Sequence, residues 1–260
     1  MPLSLFAPID RWLAPAPSPG KVGWIGQWTF AHRGLHGPGV PENSLAAARG
    51  AITAGMGIEC DIQRSLDDWP MVFHDWDLKR LLGVDTPTER LTADQLKAML
   101  YPGSDEGPAT LADFLNLVAG QVPLLIEIKS KRGYDVERTC ALVQVALTGY
   151  TGHHAVMSFD PRVSRWFGRH SPGTVRGLVV TEENGKDLRG RVKRHVSLWH
   201  SRSDFLAYDI RDMPSRFAGS QRARGMPVTT WTVRSPEQRS LALQYADAPI
   251  AEAEGVALLS

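Results

Sequence analysis

The chain has 260 residues, and 43% of them are hydrophobic, which is enough for one sizeable core in a single domain, residues 1–260. Its 29 Lys and Arg residues balance 28 Asp and Glu residues, so no overall field draws in nucleic acid, and an anionic ligand must be attracted locally. The two cysteines, Cys60 and Cys140, form neither a metal-binding spacing nor a disulfide framework. The absence of a disulfide pattern fits a reducing, cytoplasmic location.

The N-terminal stretch before Lys21 has no basic region and is broken by prolines, which argues against a signal peptide or a spanning helix. No other apolar run approaches membrane length, so we expect no stable membrane insertion. Apolar residues near one helical face, with Pro8 suited to the first turn, predict a short helix. We favour packing of this helix at the bottom of the fold over docking at a membrane surface, because it carries a single Arg. Its apolar face comprises Leu5, Ile9, Trp12 and Leu13.

From about residue 28 onward, short apolar runs alternate with helical or polar stretches, which is the pattern of parallel βα units. Only seven residues separate Gln63 from Met71, too few for a crossover helix, so we expect Met71–His74 to fold back as an antiparallel strand. The other candidates then supply the eight strands of a barrel. The strand candidates are Trp28–His32, Gly57–Gln63, Met71–His74, Pro123–Lys129, Ala155–Phe159, Val175–Val180, Phe205–Asp209, Val228–Val233 and Ala246–Ala251.

Helical patterns fill most gaps between these strands, and several begin at Pro or at a capping residue. Segment Trp76–Thr110 differs, because a short helical pattern at Thr92–Leu100 lies within Gly-, Pro- and Asp-rich sequence. The predicted fold is therefore α/β, a (β/α)8 TIM barrel with a small insertion, residues 76–110, after the extra strand that follows barrel strand 2. The predicted helices are Asn43–Ala54, Asp135–Leu147, Pro161–Arg169 and Pro236–Tyr245.

Strand alternation sends Glu59 and Asp61 to one face of their strand, and the same parity aims Glu127 and Lys129 inward. Three carboxylates that converge in a semi-buried site repel one another unless they are protonated or neutralised. A divalent metal is the natural counter-charge, and oxygen ligands suit Mg²⁺ or Ca²⁺. The alternative is that one or more of these acids forms an ion pair with Lys129 or Arg33, or binds a buried amide.

Two histidines end strands near the same mouth of the predicted barrel. His32 ends the first strand, and the back-folded strand can bring His74 to the same edge, where barrel chemistry takes place. Cleavage of a phosphodiester needs one group to activate the attacking oxygen and another to protonate the departing alkoxide, and two imidazoles can supply both near neutral pH. Arg33 and Lys129 add donors for phosphate oxygens.

These residues occur in motifs whose order and spacing resemble the glycerophosphodiester phosphodiesterase family across nearly the whole chain. Each motif is a weak signal alone, but all of them in register make coincidence implausible. The sequence departs from the family pattern at the turn Ser65–Asp68 and at the last strand, both away from the metal ligands. The motifs are His32-Arg33-Gly34, Pro41-Glu42-Asn43-Ser44, Glu59-Cys60-Asp61-Ile62, His74-Asp75, Glu127-Ile128-Lys129 and Trp231-Thr232-Val233.

The resemblance implies a barrel enzyme that hydrolyses glycerophosphodiesters, small-molecule substrates, to an alcohol and sn-glycerol 3-phosphate. It implies an inserted subdomain after the second histidine and leaves the oligomeric state open. A phospholipase D-like activity on lysophospholipids or sphingolipids is the alternative enzyme. A barrel kept as a binding module would be expected to lack a ligand or a histidine, and none is missing. The implied roles are catalysis by His32 and His74, metal binding by Glu59, Asp61 and Glu127, and phosphate contact by Arg33 and Lys129.

Three further features carry weaker predictions. Trp231 has two interpretations of similar weight, packing in the barrel core or an apolar wall for the glycerol backbone, and we include it among the substrate-binding candidates. Glu42 could be a distant ligand or could hold a group of the site in place, but it follows Pro41 and precedes a helix, so we favour a structural capping role for it. The basic run Arg189–Arg194 is interpreted as a solvated face between elements and not as a nucleic-acid surface, because no aromatic residues are interleaved with it.

Overall fold

The computed structural model describes residues 6–183 and 185–256. Its nine strands form one sheet in the order β1-β9-β8-β7-β6-β5-β4-β2-β3, and β1 also pairs with β2. The fold is the predicted (β/α)8 barrel, with β3 outside the ring. The strands are β1 (Phe30–Ala31), β2 (Gly57–Arg64), β3 (Pro70–Val72), β4 (Leu124–Ile128), β5 (His154–Ser158), β6 (Val175–Val180), β7 (Phe205–Asp209), β8 (Val228–Val233) and β9 (Ala248–Ala251).

Most helices begin where a side chain satisfies the free amides of the first turn. Ser44 and Asp135 accept hydrogen bonds from backbone amides as N-caps of the third and seventh helices. The helices are α1 (Ala7–Leu13), α2 (Pro19–Val22), α3 (Leu45–Thr53), α4 (Lys79–Leu82), α5 (Ala93–Lys97), α6 (Leu111–Val118), α7 (Val136–Ala146), α8 (Pro161–His170), α9 (Leu188–Ser201), α10 (Arg216–Ala223) and α11 (Pro236–Tyr245). All the predicted helices are present, and five others, α2, α4, α6, α9 and α10, had no clear pattern in the sequence.

The basic run Arg189–Arg194 corrects one interpretation. The predicted place between elements is wrong, because the run lies inside α9, which begins at the N-cap Asp187. The predicted exposure holds for Arg189, Arg191 and Lys193 but not for Arg194. Neighbouring residues of a helix point to different sides, so the cations do not share one face, and Arg194 is only 9% exposed. The periodic apolar signal of α9 is weak because its exposed side includes valines and a leucine, so sequence pattern alone did not separate inside from outside.

Two compact units can be distinguished along the chain, and residues 31–154 form one of them. In this unit β2 pairs in parallel with β4, and Asp61 lies opposite Glu127. Strand β3 pairs antiparallel with β2, with Gln63 opposite Met71, as the short connection predicts. It ends at Val72, earlier than the predicted strand, so His74 lies in the loop that follows.

Segment 76–110 belongs to the same unit and has its own small apolar cluster. Leu78, the residue before α4, and Leu96 of α5 are fully buried together with Met71 of β3 and Phe73, which follows that strand. An isolated antiparallel bridge joins Met71 to Thr110, where the segment ends. The segment is therefore packed against β3 by apolar side chains, although much of its chain is irregular.

The other unit comprises Met1–Phe30 and Ala155–Ser260. Strands β5 to β9 run parallel to one another, and β8 and β9 shift register between Thr230 and Val233. Side chains from neighbouring strands and from α9, α10 and α11 share one apolar core. Within residues 6–183 and 185–256, no helix combines the length and apolar character needed to cross a membrane.

Helix α1 of this unit confirms the predicted N-terminal helix, with Pro8 in its first turn. The predicted inward face is wrong for two of its members, because Ile9 is 43% and Trp12 81% exposed, and Leu5 lies outside the described residues. The buried residue of the helix is Asp10 instead. Its carboxylate accepts hydrogen bonds from three side chains of α9 and α10, namely His195 Nδ1 at 2.9 Å, Trp199 Nε1 at 2.7 Å and Gln221 Nε2 at 2.8 Å.

Candidate active site

Three carboxylates come together in the unit of residues 31–154. Glu59 and Asp61 project from β2 and Glu127 from β4, and one oxygen of each lies within 4.8 Å of the others. Glu59 and Asp61 are 2% exposed and Glu127 is 9% exposed. Alternation along the two strands and the register that sets Asp61 beside Glu127 account for the cluster.

Two cations also contact this cluster, so the ion pairs considered as an alternative do occur. Lys129 Nζ lies 3.0 Å from Glu127 Oε1 and 3.3 Å from Asp61 Oδ1. Arg33 Nε lies 3.3 Å from Asp61 Oδ2, and the Arg33 amide donates to Glu59 Oε2 at 3.0 Å. Two monovalent cations cannot neutralise the charge of three ionised carboxylates, and burial makes the remaining negative charge costly.

The pKa values of the three acids separate according to their partners. Burial raises the pKa of Glu59 well above its ordinary value, and the neighbouring charges of Asp61 and Glu127 raise it further. Burial also raises the pKa of Glu127, with Lys129 opposing the change. For Asp61, burial acts upward but is outweighed by Lys129, His74 and Arg33, so its pKa is lowered. The cluster therefore holds more negative charge than its surroundings stabilise.

This donor set fits a divalent cation. Carboxylate oxygens are the ligands preferred by hard ions such as Mg²⁺ and Ca²⁺, and three of them on two adjacent strands leave coordination positions for other oxygens. The buried Nε of Arg33 makes no hydrogen bond within the described residues, so a donor beside Asp61 has unused capacity. An anionic oxygen between the three carboxylates and Arg33 could accept a hydrogen bond from this Nε.

The two histidines are held differently. His32 Nε2 lies 4.0 Å from Glu59 Oε2, directly beside the carboxylate cluster. His74 Nδ1 lies 2.7 Å from Asp75 Oδ1. This contact orients the ring, and Nε2 is then the ring nitrogen that can exchange a proton with another group. The loop carrying His74 is fixed by Gln63, whose Nε2 donates to the His74 carbonyl at 2.8 Å.

A chain of ion pairs connects the loops around the cluster. Glu42 Oε1 accepts from Arg33 at 2.6 Å and from Arg80 Nη2 at 2.6 Å, and Arg80 Nε donates to Asp75 Oδ2 at 2.6 Å. The favoured capping role of Glu42 is therefore wrong, since Ser44 caps α3. Asp75 follows His74 in a quoted motif, but nothing in the sequence pointed to Arg80, which lies 38 residues after Glu42.

Asn43 is a further residue that the sequence did not single out. Its side chain donates to Asp61 Oδ2 at 3.0 Å and accepts from the Asp61 amide at 3.2 Å. Its φ of 57° is in the left-handed region, where Asn is tolerated better than most residues. The motif Pro41-Glu42-Asn43-Ser44 contained this signal, because an Asn before an N-cap Ser adds little to capping.

Trp231 lies in the other unit, on β8. Its Nε1 donates to the Ala207 carbonyl at 2.9 Å, and its ring meets Phe159 edge to face, with centroids 5.5 Å apart. The ring is half-buried and Phe159 is 47% exposed. Both interpretations of Trp231, core packing and a wall for substrate, therefore remain predictions.

Comparison with known proteins gives one consistent result. The profile of the glycerophosphoryl diester phosphodiesterase family matches residues 32–251. A glycerophosphodiester phosphodiesterase from Thermotoga maritima has 26% identity and a TM-score of 0.70, covering 86% of this chain and 93% of that chain. No curated protein sequence is significantly similar.

Two other solved structures share the fold at lower identity. A phosphodiesterase from Oleispira antarctica, solved with the product sn-glycerol-3-phosphate, has 22% identity and a TM-score of 0.76, covering 89% of this chain and 94% of that chain. A glycerophosphodiester phosphodiesterase from Parabacteroides distasonis has 20% identity and a TM-score of 0.71, covering 86% and 92%. The family profile spans most of this chain, including every residue of the carboxylate cluster. The chain therefore belongs to the glycerophosphoryl diester phosphodiesterase family and is an enzyme, a phosphoric diester hydrolase.

Proposed function

We propose that the protein hydrolyses glycerophosphodiesters to an alcohol and sn-glycerol 3-phosphate with the help of a divalent metal held by Glu59, Asp61 and Glu127. The observation that carries the proposal is the convergence of these three buried carboxylates within 4.8 Å of one another, in a member of this family. A bound Mg²⁺ or Ca²⁺ would supply positive charge to the phosphoryl oxygens. Arg33 and Lys129 lie beside the same carboxylates and would bind the remaining phosphate oxygens.

The two histidines would divide the proton transfer between them. One imidazole accepts the proton of the attacking oxygen as its bond to phosphorus forms, and the other donates a proton as the bond to the departing alcohol breaks. The attacking oxygen belongs either to water or to the glycerol 2-hydroxyl, and in the second case water then opens a cyclic phosphodiester. His74 is oriented by Asp75 at 2.7 Å, which keeps its Nε2 available for either role.

The substrate preference follows from where the charged groups lie. Arg33, Lys129 and a metal on the carboxylate cluster would all bind the phosphoryl group. No charged group is assigned to the departing alcohol, so its structure should matter little. We expect kcat/KM to vary less among glycerophosphocholine, glycerophosphoethanolamine and glycerophosphoglycerol than between these and diesters without glycerol. Release of glycerol 3-phosphate is the readout.

The same panel tests the alternative enzyme. Lysophosphatidylcholine is added as a competitor substrate with an acyl chain. A preference for it of more than about tenfold in kcat/KM, about 1.4 kcal/mol in transition-state binding, would favour the phospholipase D-like reaction and contradict the proposal. Metal dependence is tested by chelation, which should abolish turnover, and by readdition of Mg²⁺, Mn²⁺ or Ca²⁺, which should restore it.

Single replacements test the two histidines separately. His32→Ala and His74→Ala should each reduce kcat on the order of 10²-fold or more, with the fold retained. His200→Ala, at an exposed position on α9, is a suitable comparison because His200 has no proposed part in the reaction. A near-normal kcat for either variant would remove that histidine from the mechanism.

A further inference from the structure

Helix α9 has an unusual combination of charge and exposed apolar surface. Its 14 residues contain the cations Arg189, Arg191, Lys193 and Arg194 and no carboxylate. Along the same helix Leu188, Val192 and Val196 are 71%, 39% and 49% exposed. Residues four apart share one side of a helix, so these three form an apolar stripe on the solvent side.

Helix α1 extends this stripe. The Phe6 ring, just before α1, lies 4.4 Å from the His195 ring, and Asp10 Oδ1 accepts from Trp199 Nε1 at 2.7 Å. His195 and Trp199 each follow a valine of the stripe by three positions, so α1 packs directly beside it. Helix α1 itself carries two more exposed apolar side chains, Ile9 and Trp12. We call Ile9, Trp12, Leu188, Val192 and Val196 the α1/α9 surface.

A cavity of about 750 Å³ opens beside this surface, with Leu188 in its lining. Arg194 is nine-tenths buried in its wall and donates to the Gly185 carbonyl at 2.6 Å, while its Nε has no hydrogen-bond partner within the described residues. Arg191 and Arg216 form no ion pair within residues 6–183 and 185–256. Three other cations of the lining are paired with carboxylates, Lys186 with Asp212, Arg194 with Glu182 and Arg211 with Asp209, so the excess positive charge of the cavity comes from Arg191 and Arg216.

We propose that this unit binds the surface of an anionic lipid bilayer through the α1/α9 surface, and that the adjoining cationic cavity receives a lipid phosphate. An exposed Trp and aliphatic side chains next to Lys and Arg are the composition that places a helix in the headgroup region of a membrane. The net charge of the whole chain is only +1, so the attraction is local to α9 and the cavity.

The charge pattern selects this partner over the other candidates. In a two-fold dimer the same surface meets itself, and the cations of two α9 helices would face one another. A single-stranded nucleic acid would use several aromatic rings for stacking, whereas Trp12 is the only aromatic side chain of the α1/α9 surface. An anionic bilayer offers an apolar layer for the stripe and phosphate groups for the cations. The inference does not depend on the proposed reaction, because lipid binding is measured without turnover.

The test is co-sedimentation of the full chain with vesicles of phosphatidylcholine alone or with about a third phosphatidylglycerol. We expect binding to the mixed vesicles to be at least about fivefold stronger and to weaken as salt is raised. The double variant Trp12→Gln/Leu188→Gln should lose about tenfold or more of this binding, because two apolar anchors are removed.

Matched controls separate the surface from general effects. Trp69 and Leu243 are 50% and 70% exposed in other parts of the chain, so Trp69→Gln/Leu243→Gln replaces the same two residue types and should change binding less than about twofold. Arg189→Gln should weaken binding, whereas Arg169→Gln, an exposed Arg on α8, should not. Arg216→Ala should lower the preference for phosphatidylglycerol, and thermal melts verify that every variant is folded.

Several results would overturn the inference. Equal binding to both vesicle types, or equal losses in the test and control doubles, would mean that the α1/α9 surface has no special affinity for anionic lipid. A concentration-dependent dimer in analytical ultracentrifugation that is abolished by Leu188→Gln would assign the surface to a second copy instead. Binding of a single-stranded oligonucleotide that displaces the vesicles and requires Arg189 would assign it to nucleic acid.

Discussion

Asp75 Oδ1 lies 2.7 Å from Nδ1 of His74, the residue directly before it in the chain. Adjacent residues rarely face each other in a regular strand or helix, and this pair does so because β3 has already ended. Asp75 is held in turn by Arg80, and its pKa is lowered: burial acts upward but is outweighed by the hydrogen bonds of Arg80 and His74. The carboxylate is therefore ionised throughout the neutral range and orients the imidazole.

We expect Asp75→Asn to reduce kcat on the order of 10²-fold with little change in KM, because an amide does not fix the same tautomer of His74. Asp85→Asn, in the same segment and well exposed, is the control and should have normal kinetics. An unchanged kcat for Asp75→Asn would mean that the carboxylate serves only the loop structure.

Glu59→Gln should stabilise the metal-free protein at neutral pH. The folded-state pKa of Glu59 is above its ordinary value, so ionising it opposes folding, and this penalty develops as the pH rises above the ordinary Glu pKa. Its removal should raise Tm by about 2–4 °C, the change expected for ~1 kcal/mol in a chain of this size. The gain should vanish in acid, and metal should stabilise the wild-type chain but not the variant.

A lower Tm for metal-free Glu59→Gln at neutral pH would contradict this account. It would mean that the existing ion pairs with Arg33 and Lys129 already neutralise the cluster. Calorimetric titration with Mn²⁺ separates the two cases without an activity assay. Apparent metal affinity should also rise with pH in the wild-type protein, because the ion displaces protons from Glu59 and Glu127.

Asn43→Ala should lower metal affinity about 10- to 100-fold, the usual effect of losing a partner that orients a ligand. The substitution removes both hydrogen bonds to Asp61 and places Ala in the left-handed region, so some stability is lost as well. Asn116→Ala, at an exposed position on α6, is the control. Normal Mn²⁺ titration of Asn43→Ala would show that β2 alone orients Asp61.

Asp10→Ala should cost about 3 kcal/mol of stability in urea unfolding, since it leaves three buried donors without their acceptor. The pKa of Asp10 is lowered, because burial acts upward but is outweighed by the hydrogen bonds from His195, Gln221 and Trp199. Its contribution is therefore present above the ordinary Asp pKa and is lost as the pH falls through the folded-state value. Arg11→Ala should be nearly neutral, and equal stabilities for the two variants would contradict this account.

The sequence predicted the features that depend on local periodicity. Alternation fixed the inward side of Glu59, Asp61 and Glu127, and the seven-residue connection fixed the antiparallel β3. Helix α11, which begins at Pro236 after the cap Ser235, was predicted to the residue. These features are decided by neighbours within a few positions, and such interactions leave a visible pattern.

The rest depended on distant partners. Ile9 and Trp12 were predicted to face inward because apolar residues are usually buried. The side of α1 that is buried is instead the side of Asp10, which accepts three hydrogen bonds from α9 and α10. Arg80 joins Glu42 and Asp75 across a segment of irregular chain whose path no periodicity describes. Long-range polar pairs of this kind leave no repeat in the sequence, so the structure was needed to find them.

Arg80 also limits how this enzyme can be redesigned. Its guanidinium is the one group of segment 76–110 described as bonded to both Glu42 and Asp75, so it links this segment to the carboxylate that orients His74. A chimera that receives a foreign loop here would leave two ionised carboxylates without that cation, whatever new binding surface the loop brings. Grafts that supply an Arg at the same place should keep turnover, and grafts that lack one should fold and yet lose it.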